Sequence, residues 1–88
     1  MNGFGKQEWP SGKCYEGKWK NSNANGHGTM NFSNGDTYSG DYKVFYMYGR
    51  GKYTWSDGRS YDGEWEWDKI HGMGIFYWPD GRSYNGRF

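Results

Sequence analysis

The sequence predicts an all-β fold, a curved, single-layer antiparallel meander of stacked β-hairpins. A 23-residue period runs through the 88 residues and is marked most clearly by four tyrosines, Tyr15, Tyr38, Tyr61 and Tyr84. Each half of a unit alternates in polarity with a period of two, which is typical of a β-strand. Turn-forming sequences, SNGD, SDGR and PDGR, join the halves into hairpins. A chain of this length forms at most one small domain.

Aromatic rings must supply most of the buried surface. The chain contains no leucine, whereas aromatic residues make up 23% of it, and its net charge is +1. Disordered chains usually combine few aromatic residues with a high net charge, so this composition favours a folded protein. The balanced charge provides no basic face of the kind that binds nucleic acid, and we expect no nucleic-acid partner.

The sequence indicates a reducing, cytoplasmic environment. Cys14 is the only cysteine, which excludes an internal disulfide bond. We find no apolar run long enough for a transmembrane segment and no secretory signal.

The hairpin turns determine which residues face each other across the sheet. A two-residue turn at Asn34 and Gly35 would pair Phe32 with Thr37. A three-residue loop that ends in a left-handed glycine pairs Phe32 with Asp36 instead. We prefer the second register because it alone keeps rings and glycines on one face.

In this register, one face carries three rows of side chains across the strands. The first row is mostly aromatic: Tyr15, Met30, Tyr38, Tyr53, Tyr61, Phe76 and Tyr84. The second is entirely glycine: Gly17, Gly28, Gly40, Gly51, Gly63, Gly74 and Gly86. The third alternates large and small residues: Trp19, Gly26, Tyr42, Gly49, Trp65, Gly72 and Phe88. We expect the rings to lie flat on the bare glycine backbone.

The opposite face is predicted to be mostly charged. One row places Asp41 between His27 and Arg50, and another places Lys52 opposite Asp62. Opposite charges directly across two strands add about 0.2–1 kcal/mol each. Near the C-terminal end this face turns apolar, with Met73, Ile75 and Tyr77.

The combined pattern of Y-x-G-x-W, a short loop, G-x-G, an aromatic residue and D/N-G resembles the MORN repeat (membrane occupation and recognition nexus). The segments 15–37 and 61–83 fit it over their full length. The chain then divides into a half repeat 1–14, full repeats 15–37, 38–60 and 61–83, and a half repeat 84–88. The resemblance implies a half-pipe of stacked hairpins and a role as a scaffold or adaptor in cytoskeletal or ciliary assemblies, at membranes, or beside lipid kinases and other enzymes. Tyr42 and Phe88 depart from the repeat, which has tryptophan at both positions.

No group of residues predicts catalysis, and we expect no enzymatic activity, no metal and no cofactor. His27 and His71 lie far apart in sequence, and the single cysteine does not give them zinc-ligand spacing. The carboxylates Asp62, Glu64 and Glu66 alternate along one strand and fit a charged face better than an acid–base pair.

A protein-binding surface is predicted around segment 43–48, which we expect to be a loop. Five consecutive residues there are apolar or aromatic: Val44, Phe45, Tyr46, Met47 and Tyr48. The segment either folds over neighbouring rings or contacts a partner, and we favour the partner. The aromatic groove contributes further candidates: Trp19, Tyr42, Trp65 and Trp67. The alternative for these rings is that they fill the half-pipe and hold it together.

The alternative function is the binding of anionic phospholipid. Lys13, Lys18 and Lys20 are the candidate residues, although Glu8 and Glu16 weaken their field.

The two ends of the sheet are expected to be open edges, at 4–9 and at the strand that contains Tyr84 and Phe88. Open edges favour pairing or covering, so we expect a longer array or a multi-subunit assembly.

Overall fold

The computed structural model describes residues 3–88, which form one open sheet of eight antiparallel strands in chain order. The strands are β1 (Gly3–Glu8), β2 (Cys14–Lys20), β3 (Asn23–Asn31), β4 (Thr37–Lys43), β5 (Tyr46–Thr54), β6 (Ser60–Glu66), β7 (Lys69–Tyr77) and β8 (Ser83–Arg87). The predicted all-β meander is therefore confirmed. No stretch of residues 3–88 is a helix that could cross a membrane.

The preferred register is also confirmed. Met30 lies opposite Tyr38. The turn before β4 closes where the N–H of Phe32 donates to the carbonyl of Asp36 at 2.9 Å. Gly35 has a φ of 94°, the left-handed conformation that the three-residue loop requires.

Tyrosine rings lie directly on the glycine row, as expected. A Cβ atom added to Gly28 would be 2.6 Å from Cε1 of Tyr15, and one added to Gly51 would be equally close to Cε1 of Tyr38. The hydroxyl of Tyr15 donates to the carbonyl of Lys18 at 3.0 Å. Both rings are completely buried. A single sheet can bury rings in this way only by curving around them, so the aromatic face is the inner face of the half-pipe.

In the third predicted row, each large residue is paired correctly with the strand on one side and wrongly with the strand on the other side. Gly26 lies opposite Tyr42 as expected. Trp19, however, lies opposite Ala24 and not Gly26, and Tyr42 lies opposite Met47 on its other side. The cause is a β-bulge in each hairpin, which adds residues to one strand and shifts the register.

Segment 43–48 is not a loop. Lys43 ends β4 and Tyr46 begins β5, so the turn contains only Val44 and Phe45. Their φ angles are 49° and 64°, and positive φ at both central residues is the geometry that matches the twist of two paired strands. The prediction was wrong because the sequence there has no Asn or Gly to indicate a tight turn.

The outer face has the predicted charged rows. Arg50 lies opposite Glu64, and Nδ1 of His27 lies 3.7 Å from Oδ1 of Asp41. Met73 and Tyr77 are exposed toward the C-terminal end of this face.

Candidate protein-binding surface

The large rings of the third row lie in the core. Trp19, Tyr42 and Trp65 are 4%, 4% and 5% exposed. The indole N–H groups of Trp19 and Trp65 donate to the carbonyls of Gly5 and Gly51, each at 3.0 Å. In this conformation only the edges of these rings can contact a partner, so they add little to the predicted binding surface.

Phe45 covers neighbouring rings. Its ring centroid lies 5.5 Å from that of Trp19 and 6.3 Å from that of Tyr15. Its N–H also donates to the carbonyl of Ala24 at 3.0 Å, which holds the turn against the preceding hairpin. Met47 likewise packs against the core. Of the two interpretations of the segment, these two residues fit the one in which it folds over the rings.

Val44, Tyr46 and the neighbouring Trp67 are exposed, and Tyr48, which packs on Trp67, is half-buried. We call Val44, Tyr46, Tyr48 and Trp67 the turn cluster. Val44, Tyr46 and Trp67 are 46%, 46% and 47% exposed. Trp67 comes from the next hairpin, and its ring centroid lies 5.5 Å from that of Tyr46 and 4.9 Å from that of Tyr48. The cluster thus ties two repeats together and still presents large apolar surfaces to solvent.

A lysine completes the turn cluster. Nζ of Lys43 lies 5.1 Å from the ring centroid of Tyr48 and 5.5 Å from that of Trp67. A cation over exposed rings is worth about 0.5–1 kcal/mol. The contact fixes both rings and leaves that of Trp67 nearly half exposed.

Backbone strain occurs in the same place. Val44 is β-branched and has a φ of 49°, a combination that is a genuine outlier. The corresponding turns of the other two full repeats have positive φ at both residues as well, at Asn21 and Ser22 in one and at Trp67 and Asp68 in the other. The hydrogen bond from the Phe45 N–H to Ala24 and the packing of the Phe45 ring hold the turn in this conformation. The left-handed turn is therefore a property of the repeat, and Val44 is a residue that fits it poorly.

A cavity of about 370 Å³ opens on the inner face. Its lining includes Trp9, Lys13, Phe32, Tyr42, Phe45 and Asp68. Burial, followed by the fields of neighbouring groups that include the Asp68 carboxylate, raises the pKa of the Tyr42 phenol. The sequence did not indicate Asp68 as a site residue. It lies in a turn, and its sequence context does not show that its side chain reaches a cavity lined mainly by residues of other hairpins.

A buried carboxylate was also missed. Asp36 is 6% exposed and accepts hydrogen bonds from the Tyr53 hydroxyl at 2.7 Å and from the Ser56 N–H at 2.8 Å. The hydrogen bond from Tyr53 is the main cause that lowers the pKa of Asp36. The sequence did contain a signal for this residue, because the corresponding positions of the neighbouring units hold the cations Lys13 and Arg59 instead of a carboxylate.

The three candidate lipid-binding lysines do not form one basic cluster. Lys13 lines the cavity of the inner face, and its Nζ lies 5.0 Å from the Trp9 ring centroid. Lys18 and Lys20 line a different cavity, which they share with the exposed Phe4.

The C-terminal edge strand is partly tied down. Tyr84 and Phe88 are 47% and 45% exposed. The N–H of Phe88 donates to the carbonyl of Gly72 at 2.9 Å, and its ring lies 5.1 Å from that of Tyr61.

An open meander of 23-residue hairpins, with tyrosine rings stacked on a glycine row, defines a β-hairpin repeat protein. The family model of the MORN repeat matches residues 1–14, 15–37, 49–58 and 61–81, and the chain belongs to this family. Comparison with curated proteins gives no match. The matched segments omit 38–48, the interval that contains Tyr42 and the Val44–Phe45 turn.

Proposed function

We propose that this chain is a non-enzymatic scaffold or adaptor module that binds a protein partner through the turn cluster, within a larger assembly of cytoskeletal or ciliary type. MORN repeats are in general protein- or membrane-interaction modules. The observation that carries the proposal is the pair of Tyr46 and Trp67, two rings that pack on each other and are each nearly half exposed, with the half-buried Tyr48 also packed on Trp67.

The turn cluster has the properties of a binding hot spot. Tryptophan and tyrosine dominate such sites because they bury a large apolar area at little cost in side-chain entropy. The contacts between Trp67 and both tyrosines hold the rings in place before a partner arrives, which reduces the entropy lost on binding. The strained turn at Val44 presents an additional aliphatic side chain beside them.

Site-specific photo-crosslinking tests the proposal. A photoreactive phenylalanine analogue replaces Tyr46 in one variant and Tyr77, an exposed tyrosine at the end of β7, in another. We expect a discrete crosslinked protein from position 46 and none from position 77. Once the partner is purified, Trp67→Ala should weaken its binding by about 30-fold or more, since hot-spot truncations cost about 2 kcal/mol or more.

The matched control is Tyr77→Ala, which removes an exposed ring of similar kind away from the cluster. It should leave the partner's affinity unchanged. Trp67→Ala should lower the free energy of unfolding by about 1–2 kcal/mol, because it removes contacts with Tyr46, Tyr48 and Lys43. Amide NMR spectra should show that both variants remain folded. Equal crosslinking at the two positions, or an unchanged affinity in Trp67→Ala, would overturn the proposal.

Anionic phospholipid is the second candidate. Phe4, which is 74% exposed beside Lys18 and Lys20, is the observation in its favour. Flotation with phosphoinositide vesicles separates the two candidates. Membrane binding that is lost when Lys13, Lys18 and Lys20 are neutralised, and retained in Trp67→Ala, would favour the lipid function.

A further inference from the structure

Tyr42 lines the cavity on the inner face and carries a polar group whose hydrogen-bonding capacity is unused. The Tyr42 hydroxyl is buried and has no hydrogen-bond partner within residues 3–88. At the corresponding positions, Trp19 and Trp65 each donate to a backbone carbonyl, so the replacement of tryptophan by tyrosine created this unpaired group. Buried hydroxyls are nearly always paired, and an unpaired one requires an explanation.

A carboxylate lies at the mouth of the same cavity. Oδ1 of Asp68 accepts the N–H of Met47 at 2.7 Å, which fixes the side chain and leaves Oδ2 available. Asp68 is exposed, and it forms no ion pair with any basic side chain in the described part of the chain. Its charge reaches the cavity, because it contributes to the raised pKa of Tyr42.

The walls between these two acceptors are aromatic. The rings of Trp9, Phe32 and Phe45 line the cavity together with the thioether of Met47. Ring faces attract cations, and Lys13 illustrates this, since its own Nζ lies 5.0 Å from the Trp9 centroid. The cavity therefore combines apolar walls with a carboxylate that forms no ion pair with any described residue, and Lys13 in the wall is held by the Trp9 ring.

We propose that this cavity receives a lysine side chain of the bound partner polypeptide. The straight alkyl stem of a lysine suits the apolar walls, and its ammonium group has three donors and no acceptor. One of those donors matches Oδ2 of Asp68, and a second reaches the Tyr42 hydroxyl oxygen only when a covering side chain moves aside, because that oxygen is inaccessible in the unbound chain. The inference rests on the proposed protein-binding function and adds a chemical requirement for the partner, a lysine placed to enter the inner face.

Titration with a lysine analogue tests the proposal without knowledge of the partner. Nα-acetyl-lysine methylamide is added to the folded chain, and the aromatic and backbone NMR signals of Tyr42, Phe45 and Asp68 are followed. Nα-acetyl-norleucine methylamide, which has the stem without the ammonium, is the matched ligand. We expect saturable shifts with the lysine compound and binding at least about tenfold weaker with norleucine, because a charged hydrogen-bond donor distinguishes the two.

Two substitutions of opposite sign test the electrostatics. Asp68→Asn should weaken lysine binding about tenfold, since it removes the charge and keeps the shape. Lys13→Met should strengthen it, because a competing cation leaves the cavity wall. Amide spectra show whether each variant remains folded, and Tyr77→Ala, which removes an exposed ring away from the cavity, should leave lysine binding unchanged.

Several results would overturn the inference. Equal affinity for norleucine would make the cavity a purely apolar site, and weaker binding in Lys13→Met would show that Lys13 supports the cavity and does not compete with the ligand. The absence of saturable shifts at any soluble concentration would show that it binds neither compound. If the cavity binds lysine but position 46 gives no crosslinked partner, the proposed function is refuted and the lysine site is not. If position 46 crosslinks a partner but the cavity does not bind lysine, only the lysine site is refuted.

Discussion

The contact between ring and glycine in the middle of the sheet gives the sharpest prediction about stability. A Cβ atom on Gly51 would lie 2.6 Å from Cε1 of Tyr38, whereas carbon atoms in contact prefer about 3.5–4.0 Å. The Tyr38 ring would thus have to retreat by about 1 Å. It has no free space in which to do so, because it is fully buried, with ring centroids of Tyr42 and Trp65 at 5.0 and 5.6 Å.

The expected cost of Gly51→Ala follows from two contributions. Overpacking of this kind costs about 1–3 kcal/mol. Displacement of the ring also breaks the hydrogen bond from the Tyr38 hydroxyl to the Asp41 carbonyl, 2.9 Å long and worth about 1 kcal/mol. We therefore expect a loss of about 3 kcal/mol in the free energy of unfolding, which lowers the Tm by about 12–24 °C in a domain of this size.

Urea and thermal denaturation followed by aromatic circular dichroism would measure this loss. Gly86→Ala is the matched control, because Gly86 belongs to the same glycine row, but the Tyr84 ring beside it is 47% exposed and can turn away. It should change stability by less than about 0.5 kcal/mol. Equal losses in the two variants, or a change of less than about 0.5 kcal/mol in Gly51→Ala, would refute the idea that the ring needs a bare backbone.

Three further predictions concern the core, a carboxylate and the turn. Tyr42→Phe should be neutral or stabilising by up to about 1 kcal/mol, because the Tyr42 hydroxyl has no hydrogen-bond partner in the described residues. Tyr38→Phe should cost about 1 kcal/mol, because it removes a hydrogen bond. Urea unfolding measures both, and equal losses in the two variants would contradict the unpaired state of the Tyr42 hydroxyl. Because the pKa of Asp36 is lowered in the folded chain, its contribution to stability is fully present above the unfolded value near 3.8 and is lost as the pH falls through the folded pKa. Unfolding measured from neutral to acidic pH should show this loss, and Asp36→Asn should remove that part of the pH dependence. Phe45→Ala should lower the free energy of unfolding by about 2 kcal/mol through lost packing, whereas Val44→Asn should raise it by about 0.5–1 kcal/mol through relief of the strained φ. Urea unfolding measures both, and equal losses in the two variants would contradict the separate roles of these adjacent residues.

The regular part of the fold could be predicted because it repeats. Tyr15 and Gly17 recur every 23 residues, so a single choice of turn geometry fixed the pairing of the tyrosine and glycine rows across the sheet. The bulge at Gly26 could not be predicted, because a glycine in a strand fits a regular pair and a bulge equally well.

The candidate site was predicted only in part. The apolar composition of the Val44–Tyr48 segment indicated a functional surface, but composition could not separate Phe45, which turns inward, from Tyr46, which faces solvent. That separation depends on a turn of two residues with no Asn or Gly to mark it. The cavity depends on Asp68, which belongs to a different repeat from the Tyr42 ring that it faces, and a pattern within one repeat cannot reveal such a contact.

The strictly sequential strand order has a consequence for how the chain folds. Paired residues in adjacent strands are never far apart in sequence, and Thr37 opposite Thr54 is among the most distant pairs. Sheet proteins usually fold slowly because they must first close long loops, and this chain has none to close. Any one hairpin can serve as a nucleus to which the next is added, so folding should be fast for an all-β protein. Removal of a terminal hairpin should then shorten the unit that unfolds cooperatively and leave the remaining hairpins folded.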